Sequence, residues 1–280
     1  MGDLGLDTAV DGGDGRYRAT LVADWEIWGP NGGYLAAVAL RAAGAHSGLD
    51  RPASLLCHFL DVASFGEVSL ETRTLRRSRR AESTRISMSQ DGRPVLEALV
   101  WSVAGGLDGL RHDAAPPPDV AGPEELPSID DLMPDDRRLH RFFLNLEERP
   151  VDWIENWEQR PAGEPMVRCW YRFRPRAVFG DPWIDAGRLA VTVDTFQWPA
   201  AARGHAAKDL THIAPSLDLA CRFHRTAGDA ESEWLLVEAR SPVAEDGLVG
   251  GAASVWDRKG RLVASGGQQM LSRPAPPSAP

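Results

Sequence analysis

Two stretches of this chain run through the same succession of β-strand candidates, and that repetition limits the available folds more than any other feature. In the first, Ser54 to Leu60, Glu67 to Leu75, Ala81 to Ser89 and Pro94 to Val103 carry β-branched and apolar residues between turn signals. Asp91-Gly92 is the clearest hairpin turn among them. In the second, Ser216 to Arg225, Glu233 to Arg240, Gly250 to Asp257 and Arg261 to Gln269 read the same way. Cys57-His58-Phe59 is echoed by Cys221-Arg222-Phe223, and Asp91-Gly92-Arg93 by Lys259-Gly260-Arg261, at nearly the same separation. A duplicated module is the economical explanation.

Each copy also has a candidate helix or Ala-rich stretch ahead of its strands. Tyr17 to Val22 reads as a strand, Trp25 to Pro30 as a turn, and Asn31 as the cap of a helix over Gly32 to Ala43 that Gly44 stops. That helix is apolar on nearly every side, so it must be buried all round. One helix wrapped by a four-stranded antiparallel meander satisfies the order. In the second half, Val167 to Phe173 is a strand, and Ala190 to Thr195 leads into an Ala-rich stretch at Pro199 to Ala202. Between the copies lies a connector, His112 to Pro127, centred on Pro116-Pro117-Pro118. It is followed by a helical segment over Ser128 to Trp157, with mixed charges at helical spacing in Arg137 to Leu146. The expected boundaries are 15–111 for the first module, 112–160 for connector and helical segment, and 161–273 for the second.

Composition narrows the function. A net charge of −9 over 280 residues argues against bulk attraction to nucleic acid or an anionic membrane. No apolar run reaches membrane-spanning length. Met1 to Asp14 is acidic and Gly-rich, unlike a secretory signal, which predicts a cytoplasmic protein with a frayed leader. Cys57, Cys169 and Cys221 stand far apart, so neither a disulfide framework nor a zinc site is expected, and no metal or cofactor is called for. The serine-nucleophile elbow, the phosphate-binding loop, the zinc-protease helix and the dinucleotide fingerprint are all missing.

One residue breaks the strand pattern of the second copy. Leu217, Leu219, Cys221 and Phe223 alternate with Asp218, Ala220, Arg222 and His224, which puts a carboxylate inside a half-apolar strand. A carboxylate there serves either a structural hydrogen bond or chemistry.

The ordered set Asn31-Gly32-Gly33-Tyr34-Leu35-Ala36-Ala37, His58-Phe59-Leu60, Ser89-Gln90-Asp91-Gly92, Ser216-Leu217-Asp218 with Phe223-His224-Arg225, Glu233-Trp234-Leu235-Leu236, and Leu262-Val263-Ala264-Ser265 with Gln268 resembles the double-hotdog, thioesterase II-like acyl-CoA thioesterases. The likeness runs from about Thr20 to Ser272 and fails in the connector. It implies an α+β fold: two tandem hotdogs, each a helix wrapped by an antiparallel sheet, with the sheets joined edge to edge. It also implies hydrolysis of an acyl-CoA or other acyl thioester by a water that an Asp, a Thr or Ser and a Gln hold and activate.

Carried over by position, the Asp is Asp218 and the Gln is Gln268, with Gln269 as the alternative one register step away. The hydroxyl position falls on Pro242, which has none, leaving Ser241 beside it as the substitute. Gly32, Gly33 and Tyr34, at the predicted helix start, are the expected substrate-binding residues. Ligand approach and close helix packing explain the glycines equally well. Two other readings stay open on the residues: a hotdog protein that binds an acyl chain without turnover, and a hydratase, for which His224 lies too far along the strand from Asp218. Exposed sheet edges and related architectures suggest a homodimer.

Overall fold

The structure, a computed structural model, describes residues 1–133 and 140–275. In chain order its elements are α1 (Leu4–Asp7), β1 (Asp11–Gly13), β2 (Arg16–Leu21), α2 (Gly32–His46), β3 (Arg51–Phe59), β4 (Gly66–Arg77), β5 (Ala81–Gln90) and β6 (Arg93–Val103). After the connector come α3 (Ile129–Leu132), β7 (Leu146–Pro150), β8 (Met166–Phe173), α4 (Pro182–Thr195) and α5 (Gln197–Arg203). Then follow β9 (His212–Ile213), β10 (Asp218–Phe223), β11 (Leu235–Arg240), β12 (Ala244–Glu245), β13 (Leu248–Trp256), β14 (Leu262–Leu271) and β15 (Arg273–Pro274).

Among the described residues one antiparallel sheet runs β1-β2-β4-β5-β6-β3-β10-β14-β13-β11-β8-β7, with β12 beside β13. The two modules meet where β3 pairs with β10, Cys57 opposite Leu219 and Leu55 opposite Cys221. This is the double hotdog, α+β, as the resemblance implies. The sheet curls round α2 and α4, which lie against each other antiparallel: Gly33 at the start of α2 is next to Val191 near the end of α4, and Gly44 next to Trp183 at its start. A Cβ at Gly33 would stand 2.6 Å from the Cα of Val191, closer than side chains pack, so only glycine permits this approach. Val38, Ala39, Leu40, Leu189, Ala190 and Val193 are all sealed in the core, and that burial holds helices and sheet together.

Several sequence expectations need correction. The first module is not a simple meander: β3 pairs with β6 rather than β4, which leaves its other edge free for β10. The Asp91-Gly92 turn is as expected, with both residues at positive φ. α2 runs past Gly44 to His46. The helix of the second module is α4, which begins at Pro182 behind an Asp181 cap. The Val191-Thr192-Val193 run disguised it, because β-branched residues read as strand.

Among the described residues, the segment Ser128 to Trp157 is helical only in short pieces, among them α3 and a 3-10 helix over Arg141–Asn145. It also supplies the edge strand β7, paired with β8 from Leu146↔Phe173 to Pro150↔Cys169. Of Arg137 to Leu146, positions 137–139 lie outside the described residues. Met1 to Asp14 is packed onto the fold and not frayed. Leu4 is buried, the Gly2 amide donates to Asn145 Oδ1 at 2.7 Å, and Trp25 Nε1 donates to Asp7 Oδ2 at 2.9 Å.

The connector covers part of the sheet's outer face. Trp170, Leu236 and Trp256 stand in one cross-strand row on that face with Trp234 beside them, and the chain of the connector lies on top. Trp170 Nε1 donates to the Ala121 carbonyl and Trp256 Nε1 to the Ala115 carbonyl, each at 2.9 Å.

Candidate active site

Strand parity decides which face each predicted residue serves. On β3 and β10, Leu55, Cys57, Leu219, Cys221 and Phe223 point inward to the helices and are buried, while Leu56, His58 and Arg222 point outward and are exposed. Asp218 is directly opposite His58, so its side chain belongs to the outer face. Gln268 on β14, opposite Gly251 of β13 and only 6% exposed, belongs to the inner face with Met270. By strand parity Asp218 and Gln268 belong to opposite faces, but a bulge brings the Asp218 carboxylate into the gap between β10 and β14, against the amide that follows Gln268.

What Asp218 does is visible in the register. Ala220 faces Gly267, and continuing that register would set Leu217 opposite Met270, but Ser216 stands there instead. One extra residue is accommodated as a bulge, which frees an amide of the partner strand. Asp218 Oδ1 accepts that amide, the N–H of Gln269, at 2.8 Å. The bulge also flips the parity of the preceding residue. Ser216 is turned to the inner face, where its Oγ donates to Gln268 Oε1 at 3.0 Å. Gln269, the alternative to Gln268, alternates to the outer face.

The remaining predicted residues divide. Ser241 is buried, but its hydroxyl donates to the Gly250 carbonyl at 2.8 Å rather than to Gln268. Tyr34 is wholly buried, stacked on Trp25 at 5.4 Å; its OH donates to the Asp7 carbonyl at 2.7 Å and accepts from the Val22 amide at 3.3 Å, a structural role. Gly32 and Gly33 do open α2, at the same end of the molecule as Ser216 and Gln268.

A residue that the sequence reading passed over completes this end. Asp194, in the last turn of α4, is buried against the start of α2. Its Oδ2 accepts from Asn31 Nδ2 at 3.0 Å and from the Gly33 amide at 2.9 Å. Burial pushes its carboxyl up from 3.8 to about 6, and the hydrogen bonds from Gly33 and Asn31 oppose the rise. Among the described residues Oδ1 takes no hydrogen bond, and it lies 3.4 Å from where a Cβ of Gly32 would be. The sequence carried a signal for it: a lone carboxylate after Leu189-Ala190-Val191-Thr192-Val193, an apolar run that cannot place a charge in solvent.

Two chains of contact tie Asp194 to the Ser216–Gln268 pair. On one side, the Gly32 Cβ position is 3.0 Å from the Phe59 ring, and the Phe59 amide donates to the carbonyl of Leu217, next to Ser216. On the other, Gly251, opposite Gln268, lies under Gln197, one turn beyond Asp194, and Gly266 lies under Val193. A Cβ at Gly251 would be 2.1 Å from Gln197 Oε1, so a bare strand lets the helix end settle onto β13 and β14. Beside this centre an open cleft of about 370 Å³ is lined by Trp198, Leu210 and Val249 among others, and Trp198 and Val249 pack against Met270.

Two family profiles match this chain over most of its length. Residues 21–103 match the acyl-CoA thioesterase N-terminal domain and residues 123–272 the C-terminal domain. The chain belongs to the acyl-CoA thioesterase family. Membership supports the role of a thioester hydrolase. Two solved structures are similar in fold over nearly the whole chain. A hot dog fold protein of unknown function from Alicyclobacillus acidocaldarius superposes with a TM-score of 0.81 at 23% identity, 98% of each chain being covered. An acyl-CoA thioesterase II from Mycobacterium marinum does so with 0.79 at 21% identity, covering 98% of this chain and 99% of the other. No helix among the described residues is long and apolar enough to cross a membrane.

Proposed function

We propose that this thioesterase-family chain hydrolyses an acyl-CoA thioester with a water activated by Asp194 and positioned by Gln268 and Ser216. The observation that carries the reading is Asp194 itself: a buried carboxylate, raised to about 6, whose Oδ2 is fixed by two donors while Oδ1 has none among the described residues. A base with that pKa is ionised at neutral pH yet basic enough to take a proton from water in the transition state.

The residues divide the work by their hydrogen-bonding capacity. Ser216 fixes Gln268 by donating to its Oε1, which leaves the Nε2 donors for the water or the substrate carbonyl. The Gly32 amide, first in α2, has no protein acceptor among the described residues, and the helix start favours the negative charge that develops on the carbonyl oxygen. The water oxygen bonds to the carbonyl carbon as Asp194 takes its proton. The C–S bond then breaks, and the proton passes from Asp194 to the departing thiolate, giving CoA and the free acid. The cleft beside Met270 would take the acyl group, with Trp198, Leu210 and Val249 as its apolar wall.

The test is release of free CoA from short, medium, long and aromatic acyl-CoA thioesters by the full chain. Turnover of at least one class is expected. Saturable binding of acyl-CoA without any free CoA across the panel would leave only a binding protein.

A further inference from the structure

We infer that Asn31, the cap of α2, is a positioning residue of the catalytic centre, whose amide orients the Asp194 carboxylate and stabilises its charge, a role that rests on Asp194 being the base proposed above. Capping alone does not account for an asparagine here. A cap has to accept from a backbone amide of the first turn, which Ser, Thr and Asp do about as well as Asn. Asn31 does so through Oδ1, which accepts from the Tyr34 amide at 3.0 Å. Its Nδ2 is left over, and it donates to Asp194 Oδ2 at 3.0 Å. Among capping residues only an amide side chain carries both the acceptor that a helix start needs and N–H donors for a carboxylate.

The side chain has one workable orientation. Reversed, Nδ2 would meet the Tyr34 N–H, donor against donor, and Oδ1 would meet the carboxylate, acceptor against acceptor. The backbone is fixed as well: the Asn31 amide donates to the Trp25 carbonyl at 3.0 Å, and the Asn31 carbonyl accepts from the Leu35 amide at 3.1 Å. Asn31 and Asp194 are each 7% exposed, so their hydrogen bond is shielded from water, where a donor to a charged group counts most. With the Gly33 amide on the same oxygen at 2.9 Å, Oδ2 holds two donors and Oδ1 is the oxygen left for the water.

The other end of the helix pair uses the same device with the opposite sign. Asp181 caps α4, accepting from the Trp183 and Ile184 amides at 2.8 and 3.4 Å. The end of α2 beside it carries Arg41, whose charge the Asp181 carboxylate favours. A carboxylate thus caps the helix that starts near an arginine, and an amide caps the helix that starts against an aspartate. The titratable groups within reach of the Asp194 charge are Cys57 on β3, Cys221 on β10 and Tyr171 on β8. Burial raises all three, so they stay neutral between pH 5 and 9, and the first turn of α2 holds no acidic residue.

The experiment is the carboxyl titration of Asp194 by carbon-13 NMR in the full chain, with the pH profile of kcat/KM, for wild type, Asn31→Ser and Asn31→Asp. The Asp194 resonance is assigned by its loss in Asp194→Asn. Both Asn31 variants keep a capping oxygen. Asn31→Ser should raise the titration by about one pH unit, the loss of one donor to the charged form. Asn31→Asp should raise it further, to the higher apparent value of two facing carboxylates. The acid limb of kcat/KM should move with the titration in Asn31→Ser, so that its deficit is largest at pH 6 and shrinks toward pH 9. A capping role alone would leave titration and limb in place and lower activity by the same factor at every pH. If Asp194→Asn removes a wild-type limb near 6 that Asn31→Ser leaves where it was, this inference alone is overturned. If Asp194→Asn keeps wild-type turnover, the base assignment falls and the positioning role with it.

Discussion

Two aspartates of the second module stand in opposite circumstances. Asp218 begins a central strand inside a recognisable motif, and its carboxylate is held in the gap between β10 and β14, where it satisfies one bulge amide. Asp194 sits in an undistinguished apolar helix, yet its carboxylate is buried between two helices and raised to about 6. The difference teaches that environment, not the company of a motif, makes a carboxylate reactive. Asp218 still matters to the site indirectly: the bulge it stabilises turns Ser216 inward.

The contrast can be broken or sharpened by substitution, and the largest effect belongs to Asp194. Asp194→Asn should lower kcat by about 10³-fold or more, the usual worth of a general base, as CoA release would show. The same substitution should raise thermal stability at pH 7. The native carboxyl titrates near 6 and the unfolded one near 3.8, so the native state binds more protons between those values. This group's contribution to stability therefore falls as pH rises from about 4 to 6 and stays low above it. Removing the buried charge recovers on the order of 2–3 kcal/mol at most, because Asn can still accept from Asn31 and Gly33.

Smaller effects follow down the contact chain. Gln268→Ala should cost about 10²-fold in kcat, the scale of losing one donor aimed at developing charge. Ser216→Ala, which only frees Gln268 to rotate, should cost about tenfold with a near-normal melting temperature. Asp218→Asn keeps an acceptor for the Gln269 amide, so its activity should stay within about threefold and its stability within about 1 kcal/mol.

Most of the architecture was legible because its causes are local. Alternation in Ser216 to Arg225 and the Asp91-Gly92 turn fix strands and hairpins, and Asn31 does cap α2, accepting from the Tyr34 amide at 3.0 Å. The site was only half legible. Gln268 was named by the resemblance with Gln269 as the alternative, and because it lies on a long regular strand its parity puts it on the inner face. Asp218 and Ser216 exchange faces through one bulged residue, which no period in the sequence announces. Asp194 was hidden because its helix contains Val191, Thr192 and Val193, and because the partners that raise its pKa come from the other module. The edge strand β7 was missed for the same kind of reason: Leu146 to Pro150 carries Glu147 and Arg149, which pair with each other, and Glu147 also pairs with Arg172 on β8, instead of showing an apolar face.

The most direct test is the pH dependence of kcat/KM in the wild-type chain and in Asp218→Asn. If Asp194 is the base, activity falls tenfold per pH unit below an acid limb at about 6, and the limb stands unmoved in Asp218→Asn. A limb that shifts or vanishes with Asp218→Asn, or a flat profile between pH 5 and 7, would contradict the assignment.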